Sequence, residues 1–181
     1  ASTTLQAGTT VVLANDVILS GASTVDTQGF GMTLDGIVSG TGPMDKVGSG
    51  TLTLNGNNSY SGPTNLNAGT IAVGSNTALG TGQLNMADGT TLQAGVSGLV
   101  VANDIATLGS GLIDQGAGTF QLDGVISGAG SISTVGIGNL ILGGNSTFSG
   151  GLGINVSGST VTLLTNTAAG TAGIAINDGA K

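Results

Sequence analysis

An internal repeat constrains this chain more than any other feature of its sequence. Shifted by 88 positions, residues 14–62 align with residues 102–150 at 20 identities in 49 pairs. The hexapeptide TTLQAG also occurs at 3–8 and again at 90–95, and NTA occurs at 76–78 and 166–168. Self-similarity at a fixed period is typical of solenoids, whose units bury their apolar faces only against their neighbours. We predict two repeat units, residues 1–87 and 88–181, within one continuous solenoid.

A shorter period lies inside each unit. Centres of apolar segments recur at steps of about 20 residues, at Leu13, Leu34, Leu54 and Val73 in the first unit and at Val101, Leu122, Leu142 and Leu163 in the second. The longer step between Val73 and Val101 predicts one coil with an enlarged loop within residues 74–99, where we would expect any binding specificity to lie. The pattern predicts about eight coils of roughly 20 residues each.

Local sequence patterns identify the repeated element as a β-strand. Residues 51–54 (TLTL) and 70–73 (TIAV) combine period-two alternation with β-branched side chains. Turn-forming pairs such as Asp35-Gly36 and Asn55-Gly56 separate these segments. An all-β parallel β-helix explains a 20-residue step inside an 88-residue step. A propeller would need about 40 residues per blade, and a sandwich gives no reason for either period.

The composition excludes several classes of function. The chain has 36 Gly, and its nine acids are all Asp, without any Glu, Arg, His, Cys or Trp. This glycine content disfavours helices, while a mean hydropathy of +0.40 argues against disorder. A net charge of -7, with Lys46 and Lys181 as the only cations, argues against nucleic acid as a partner. No apolar stretch approaches the ~20 residues of a spanning helix, so we expect no membrane contact by this segment.

Aspartates are the strongest candidates for a chemical site. Alternate members of a regularly spaced series could stack in columns and bind Ca²⁺ between coils. This series comprises Asp16, Asp26, Asp35 and Asp45, and it recurs at Asp104, Asp114 and Asp123. Hydrogen-bonded turns at the solvent surface explain the same residues more simply, and we favour that interpretation. We therefore predict no catalytic, cofactor-binding or metal site.

Four further patterns favour structural roles. Residues 150–155 (GGLGIN) resemble one unit of a calcium-binding roll, but the ligand position holds Asn and no second unit follows, which indicates a turn. Threonine pairs at 51 and 53 and at 160 and 162 could form an ice-binding ladder, but the intervening copy holds Asn139 and Ile141. Glycosylation sequons at residues 57, 145 and 155 carry little weight in so Asn-rich a chain. Tyr60 and the equivalent Phe148 are expected to pack as plugs at a corner of the coil.

Residues 48–73, GSGTLTLNGNNSYSGPTNLNAGTIAV, closely resemble the passenger-associated transport repeat of bacterial autotransporters. The second copy, residues 136–161, keeps the Gly, Leu and Asn-Ser-Thr-Phe-Ser-Gly parts but loses the T-x-L-N-A-G-T continuation. The resemblance implies a right-handed β-helical passenger that is exported through the inner membrane and then across the outer membrane. It carries over no catalytic residue, because the repeat has none.

These observations predict a structural β-helical stalk in a bacterial surface or secreted adhesin, without catalysis or cofactors. The alternative is a self-assembling extracellular filament or biofilm-matrix subunit, and a third class is a carbohydrate-binding module or enzyme. The expected partners are neighbouring coils of a parent chain or other copies of this chain, together with an unidentified host or bacterial surface ligand. The expected location is the bacterial cell surface or the extracellular space.

Overall fold

A computed structural model describes residues 3–177 of the chain, and within that range every regular element is a β-strand. Most strands contain three or four residues. In chain order they are β1 (Thr3–Gln6), β2 (Val11–Leu13), β3 (Val17–Leu19), β4 (Ser23–Asp26), β5 (Met32–Leu34), β6 (Val38–Gly40), β7 (Met44–Val47), β8 (Thr51–Leu54), β9 (Thr64–Leu66), β10 (Thr70–Val73), β11 (Leu84–Met86), β12 (Thr91–Ala94), β13 (Leu99–Val101), β14 (Ile105–Thr107), β15 (Gly111–Asp114), β16 (Thr119–Leu122), β17 (Ile126–Ser127), β18 (Ile132–Thr134), β19 (Asn139–Leu142), β20 (Leu152–Ile154), β21 (Thr160–Leu163) and β22 (Ile174–Ile176).

These strands wind into a parallel β-helix with three faces. The first face is a seven-stranded sheet in the order β1-β4-β7-β9-β11-β14-β17, and the second is a nine-stranded sheet in the order β2-β5-β8-β10-β12-β15-β18-β20-β22. The third face holds the pair β3-β6 and, further along the axis, the sheet β13-β16-β19-β21. All the strand pairs are parallel, as between β8 and β10. The predicted β-helix of about eight turns is confirmed.

Alternation along each strand sends one side chain into the interior and the next one outward. In β8, Leu52 and Leu54 are fully buried, whereas Thr51 and Thr53 are half-buried. One core of aliphatic and aromatic side chains runs along the axis. Burying a leucine of this kind is worth about 2 kcal/mol. Because the interior of each coil is completed by the coils on either side, stability depends on stacking.

The region between Val73 and Val101 differs from the sequence prediction, because it contains no enlarged loop. It holds the regular strands β11 and β12, and Val73 of β10 pairs with Ala94 of β12 rather than with Val101. The 28-residue step is therefore one ordinary 21-residue coil followed by one additional strand segment. Apolar periodicity missed this because position 94, the equivalent of the earlier strand centres, holds a small Ala.

The additional strand shifts the second repeat unit onto the next face of the helix. In the first unit β5 and β8 belong to the second face, whereas their equivalents at an offset of 88, β16 and β19, belong to the third. By the same offset β4 of the first face corresponds to β15 of the second. Each unit thus advances by four turns and one strand. Stacking continues through the predicted boundary after residue 87, and the division into 1–87 and 88–181 stays a prediction.

Candidate functional site

Residues 48–73 and 136–161, the two segments that resemble the transport repeat, each place an aromatic side chain at a corner of the coil. Both aromatic side chains are fully buried. Tyr60 and Phe148 have 0% exposed surface. A glycine of the following coil covers each ring, Gly80 over Tyr60 and Gly170 over Phe148. Both glycines have positive φ, 61° and 75°, and a Cβ at either would lie within 3.0 Å of ring carbons. The predicted plug role is confirmed.

The two plugs differ in polarity together with their neighbours. The Tyr60 hydroxyl lies 2.6 Å from Thr64 Oγ1, and burial raises the pKa of Tyr60 to about 12. In the second unit Phe148 replaces the tyrosine and Leu152, at the same offset, replaces the threonine. One plug is therefore a hydrogen-bonded pair and the other an apolar pair. This matched change avoids leaving a buried hydroxyl without a partner.

A second feature of the corner that both repeat units share is a buried side-chain oxygen that accepts a backbone hydrogen bond from the preceding coil. Asn58 Oδ1 accepts the Val38 N–H at 2.7 Å, and in the second unit Ser146 Oγ accepts the Ile126 N–H at 3.1 Å. Asn58 Nδ2 also donates to the Ala78 carbonyl at 2.6 Å. These bonds fasten the irregular corner segment to its neighbours where regular strand pairing stops.

Lys46 is a buried cation that sequence reasoning did not single out. It occupies an inward position of β7 with 0% exposure, and its Nζ donates to the carbonyls of Val47, Gly48 and Ala68 at 3.1, 2.8 and 2.9 Å. Burial lowers the pKa of Lys46 to about 8, and the negative charge of Asp26 partly opposes that shift. The alternation of residues 44–47 contained the signal, since Lys46 shares the parity of the core residue Met44.

The stacked aspartate columns, the less favoured alternative to hydrogen-bonded turns, do not form. Asp26 pairs in register with Val47, while Asp45 pairs with Thr24, so the two carboxylates lie in different columns. The offset arises because this pair of coils steps by 21 residues rather than by 19. Asp16 likewise accepts the Ile37 N–H at 2.7 Å, beyond the position of Asp35.

The aspartate carboxylates instead accept hydrogen bonds within the fold. Each aspartate in the described range accepts at least one such bond, and many of these bonds join neighbouring coils. Bonds from the side chain of Gln6, then from the backbone and side chain of Gln28, lower the pKa of Asp26. No group of three or more possible metal-ligating His, Cys, Asp or Glu residues occurs among residues 3–177.

The remaining candidate patterns also have definite places. Within residues 150–155 only the beginning is a bend, because Leu152–Ile154 forms β20, so the prediction of a turn is correct only for its first part. Of the candidate threonines, Thr160 lies in an outward column that Asn139 interrupts. Thr51 lies in another column, in register with Thr70 and then Thr91. The sequon residues at 57, 145 and 155 are exposed.

A shallow groove of about 290 Å³ lies on the third face, beside the junction between the repeat units. It is lined by Asn76, Thr77, Gly80, Thr81, Ala102 and Asn103. Asn103 is largely buried and its amide donates to the carbonyls of Gly80 and Gly82 at 3.1 and 2.7 Å. The groove therefore falls partly within residues 74–99, where the sequence led us to expect specificity, but its Asn103 amide is used to hold adjacent coils together.

Along the described part of the chain, no helix is long and apolar enough to cross a membrane. Comparison with known proteins identifies the repeat. A family model of the passenger-associated transport repeat matches residues 44–73 and 135–159. The chain is also 36% identical over 116 residues to the adhesin BmaC autotransporter of Brucella suis biovar 1 (strain 1330).

This alignment covers 62% of the chain and 3% of that adhesin, so the chain spans a small fraction of the relative's length. No solved structure matches the chain significantly. Both repeat matches fall on the segments that carry the aromatic plugs, and the structure stacks them within one parallel β-helix. The chain thus matches the passenger-associated transport repeat in two segments and is similar over part of its length to an autotransporter adhesin.

Proposed function

We propose that this chain is a rigid β-helical stalk segment of a bacterial surface or secreted adhesin, without catalytic activity of its own. The observation that carries the proposal is the uninterrupted second face, a single sheet of nine parallel strands. With neighbouring strands about 4.8 Å apart, this sheet spans roughly 38 Å along the axis. Such a continuous rod suits a role in spacing other parts of a long passenger from the cell.

The chemistry of the side chains supports the same proposal. The carboxylates of the described residues accept hydrogen bonds within the fold, and the Lys46 ammonium is enclosed by three backbone carbonyls. These groups stabilise the stack of coils and do not converge on a cleft. The similarity to an autotransporter adhesin supports a location on the cell surface or in the extracellular space.

A deletion that preserves the stacking pattern tests the stalk. Removal of residues 63–150 from the parent protein joins Gly62 to Gly151 at equivalent points of the two repeats and takes out four turns and one strand. We expect bacteria carrying this deletion to display the protein and adhere to host cells, with the passenger shortened by about 20 Å. Substitution of Gly80 by Val, which disrupts the plug without shortening the chain, serves as a control that lowers display.

Competition with the isolated chain separates the stalk from a binding module. A stalk segment should neither bind host cells saturably nor inhibit adhesion by the parent protein. Saturable binding of the chain to host cells, or inhibition of adhesion by it, would overturn the stalk proposal. Formation of fibres by the purified chain, with coils continuing from one molecule to the next, would instead favour the filament alternative.

A further inference from the structure

The bend after β8 contains the one Asn-Gly pair in the sequence, Asn55-Gly56. The Asn55 side chain is exposed, and its Nδ2 donates to Asp35 Oδ1 at 2.7 Å. Among the described residues the Gly56 N–H donates no hydrogen bond. Gly56 also has no side chain to shield its nitrogen from the Asn55 amide. The Asn55 side-chain amide and the Gly56 nitrogen, which react in a known covalent rearrangement, are therefore adjacent in the chain, and no hydrogen bond within the described residues holds the Gly56 N–H.

We propose that Asn55-Gly56 is a site of spontaneous deamidation that loosens the stacking of two coils. The Gly56 nitrogen loses its proton to water and forms a bond to Asn55 Cγ, and the Cγ–Nδ2 bond breaks as Nδ2 takes a proton from water and leaves as ammonia. Water then adds to either carbonyl of the resulting five-membered succinimide and opens it to aspartate or isoaspartate. Water is the only co-reactant, and no atom is oxidised or reduced.

The product places a second negative charge in the column that contains Asp35. The Asn55 amide, which donates to the Asp35 carboxylate, is replaced by a carboxylate that repels it. The isoaspartate product also lengthens the backbone by one methylene. The glycine that follows packs closely on the preceding coil, since a Cβ at Gly56 would overlap the Gly36 carbonyl oxygen, and the longer backbone must shift this contact.

The chain supplies its own controls. The second repeat unit has Gly143 where the first has Asn55, and there Asp123 accepts a bond from Gln121 Nε2 at 2.8 Å instead. Asn65 and Asn85 donate along a similar outward column, but each lies within a strand and precedes a bulky residue, Leu or Met. The succinimide should not form at either of these two positions.

Peptide mapping of the folded chain after prolonged incubation at mildly alkaline pH tests the proposal. We expect a mass gain of about 1 Da, with isoaspartate, confined to residue 55, and its loss in Asn55→Gly. Deamidation that occurs only after the chain is unfolded in urea, or equally at Asn65, would overturn the site. The thermal midpoint should fall as residue 55 converts, and fall less in Asp35→Asn at equal conversion. An equal fall in both proteins would overturn the charge-repulsion step.

Discussion

Replacement of Gly80 by Ala should destabilise the protein far more than the same replacement of Gly116. The two glycines have nearly the same backbone conformation, with φ of 61° and 62°. A Cβ at Gly116 meets no atom within 4 Å, whereas a Cβ at Gly80 would overlap the Tyr60 carbonyl oxygen and lie 3.0 Å from two ring carbons. The pair therefore separates the cost of a left-handed backbone from the cost of filling the space above the plug.

The expected magnitudes follow from these contacts. An L-residue in the left-handed conformation costs about 1–2 kcal/mol, and this should be the whole loss at Gly116. Overpacking a rigid core adds about 1–3 kcal/mol at Gly80, since the ring of Tyr60 is enclosed on every side. The total at Gly80 should reach about 2–5 kcal/mol, which lowers the thermal midpoint by roughly 4–20 °C at about 2–4 °C per kcal/mol.

Urea denaturation of the two variants and the parent, followed by far-UV circular dichroism, measures the difference. Equal losses in the free energy of unfolding would show that the Tyr60 plug yields freely, and would refute the idea that the glycine of the next coil fits onto the ring. A third variant combines Tyr60→Ala with Gly80→Ala. Once the Tyr60 ring is removed, Gly80→Ala should lower the free energy of unfolding by less than it does in the parent.

Two further predictions concern buried polar groups. Tyr60→Phe alone should cost about 1–3 kcal/mol because it leaves Thr64 Oγ1 without a partner, whereas Tyr60→Phe with Thr64→Val should cost clearly less; additive losses in a double-mutant cycle would contradict the pairing. For Lys46, the folded-state pKa of about 8 lies below the ordinary value of 10.5, so the unfolded chain binds more protons between these values. The free energy of unfolding should therefore rise from about pH 8 to pH 10, by up to about 1.4 kcal/mol per pH unit. Lys46→Met should remove that rise, and a parent protein whose stability falls over this interval would contradict it. Above about pH 10 the raised pKa of Tyr60 acts in the opposite direction, since only the unfolded chain ionises its tyrosine there.

The fold could be predicted from the sequence because the core residues that produce it recur at a regular spacing. Leu34 and Leu54 recur at the coil spacing, and each lies inward in its strand, as the alternation predicts. The buried aromatic corner was also predictable, since Tyr60 and Phe148 occupy equivalent positions in two copies. A periodic core therefore makes an unusually strong sequence signal.

The register between the strands of neighbouring coils could not be predicted in this way. Coils step by 19 residues between Thr51 and Thr70 but by 21 between Thr70 and Thr91. Such variation, set by single residues at the bends, moves the aspartates out of common columns. The small Ala94 in β12 concealed the additional strand, and with it the shift of the second unit onto the next face.

Cysteine cross-linking tests whether the second repeat unit follows the first after one additional strand and not after an enlarged loop. The chain has no native cysteine, so a disulfide can form only between the engineered cysteines. Thr70 and Thr91 are partners in adjacent strands, at the spacing of about 4.8 Å that a disulfide can bridge. Thr70→Cys with Thr91→Cys should cross-link rapidly and completely under mild oxidation, whereas Thr70→Cys with Gly98→Cys, the pair that a loop would bring together, should not. Cross-linking of the second pair in preference to the first would contradict the architecture described above.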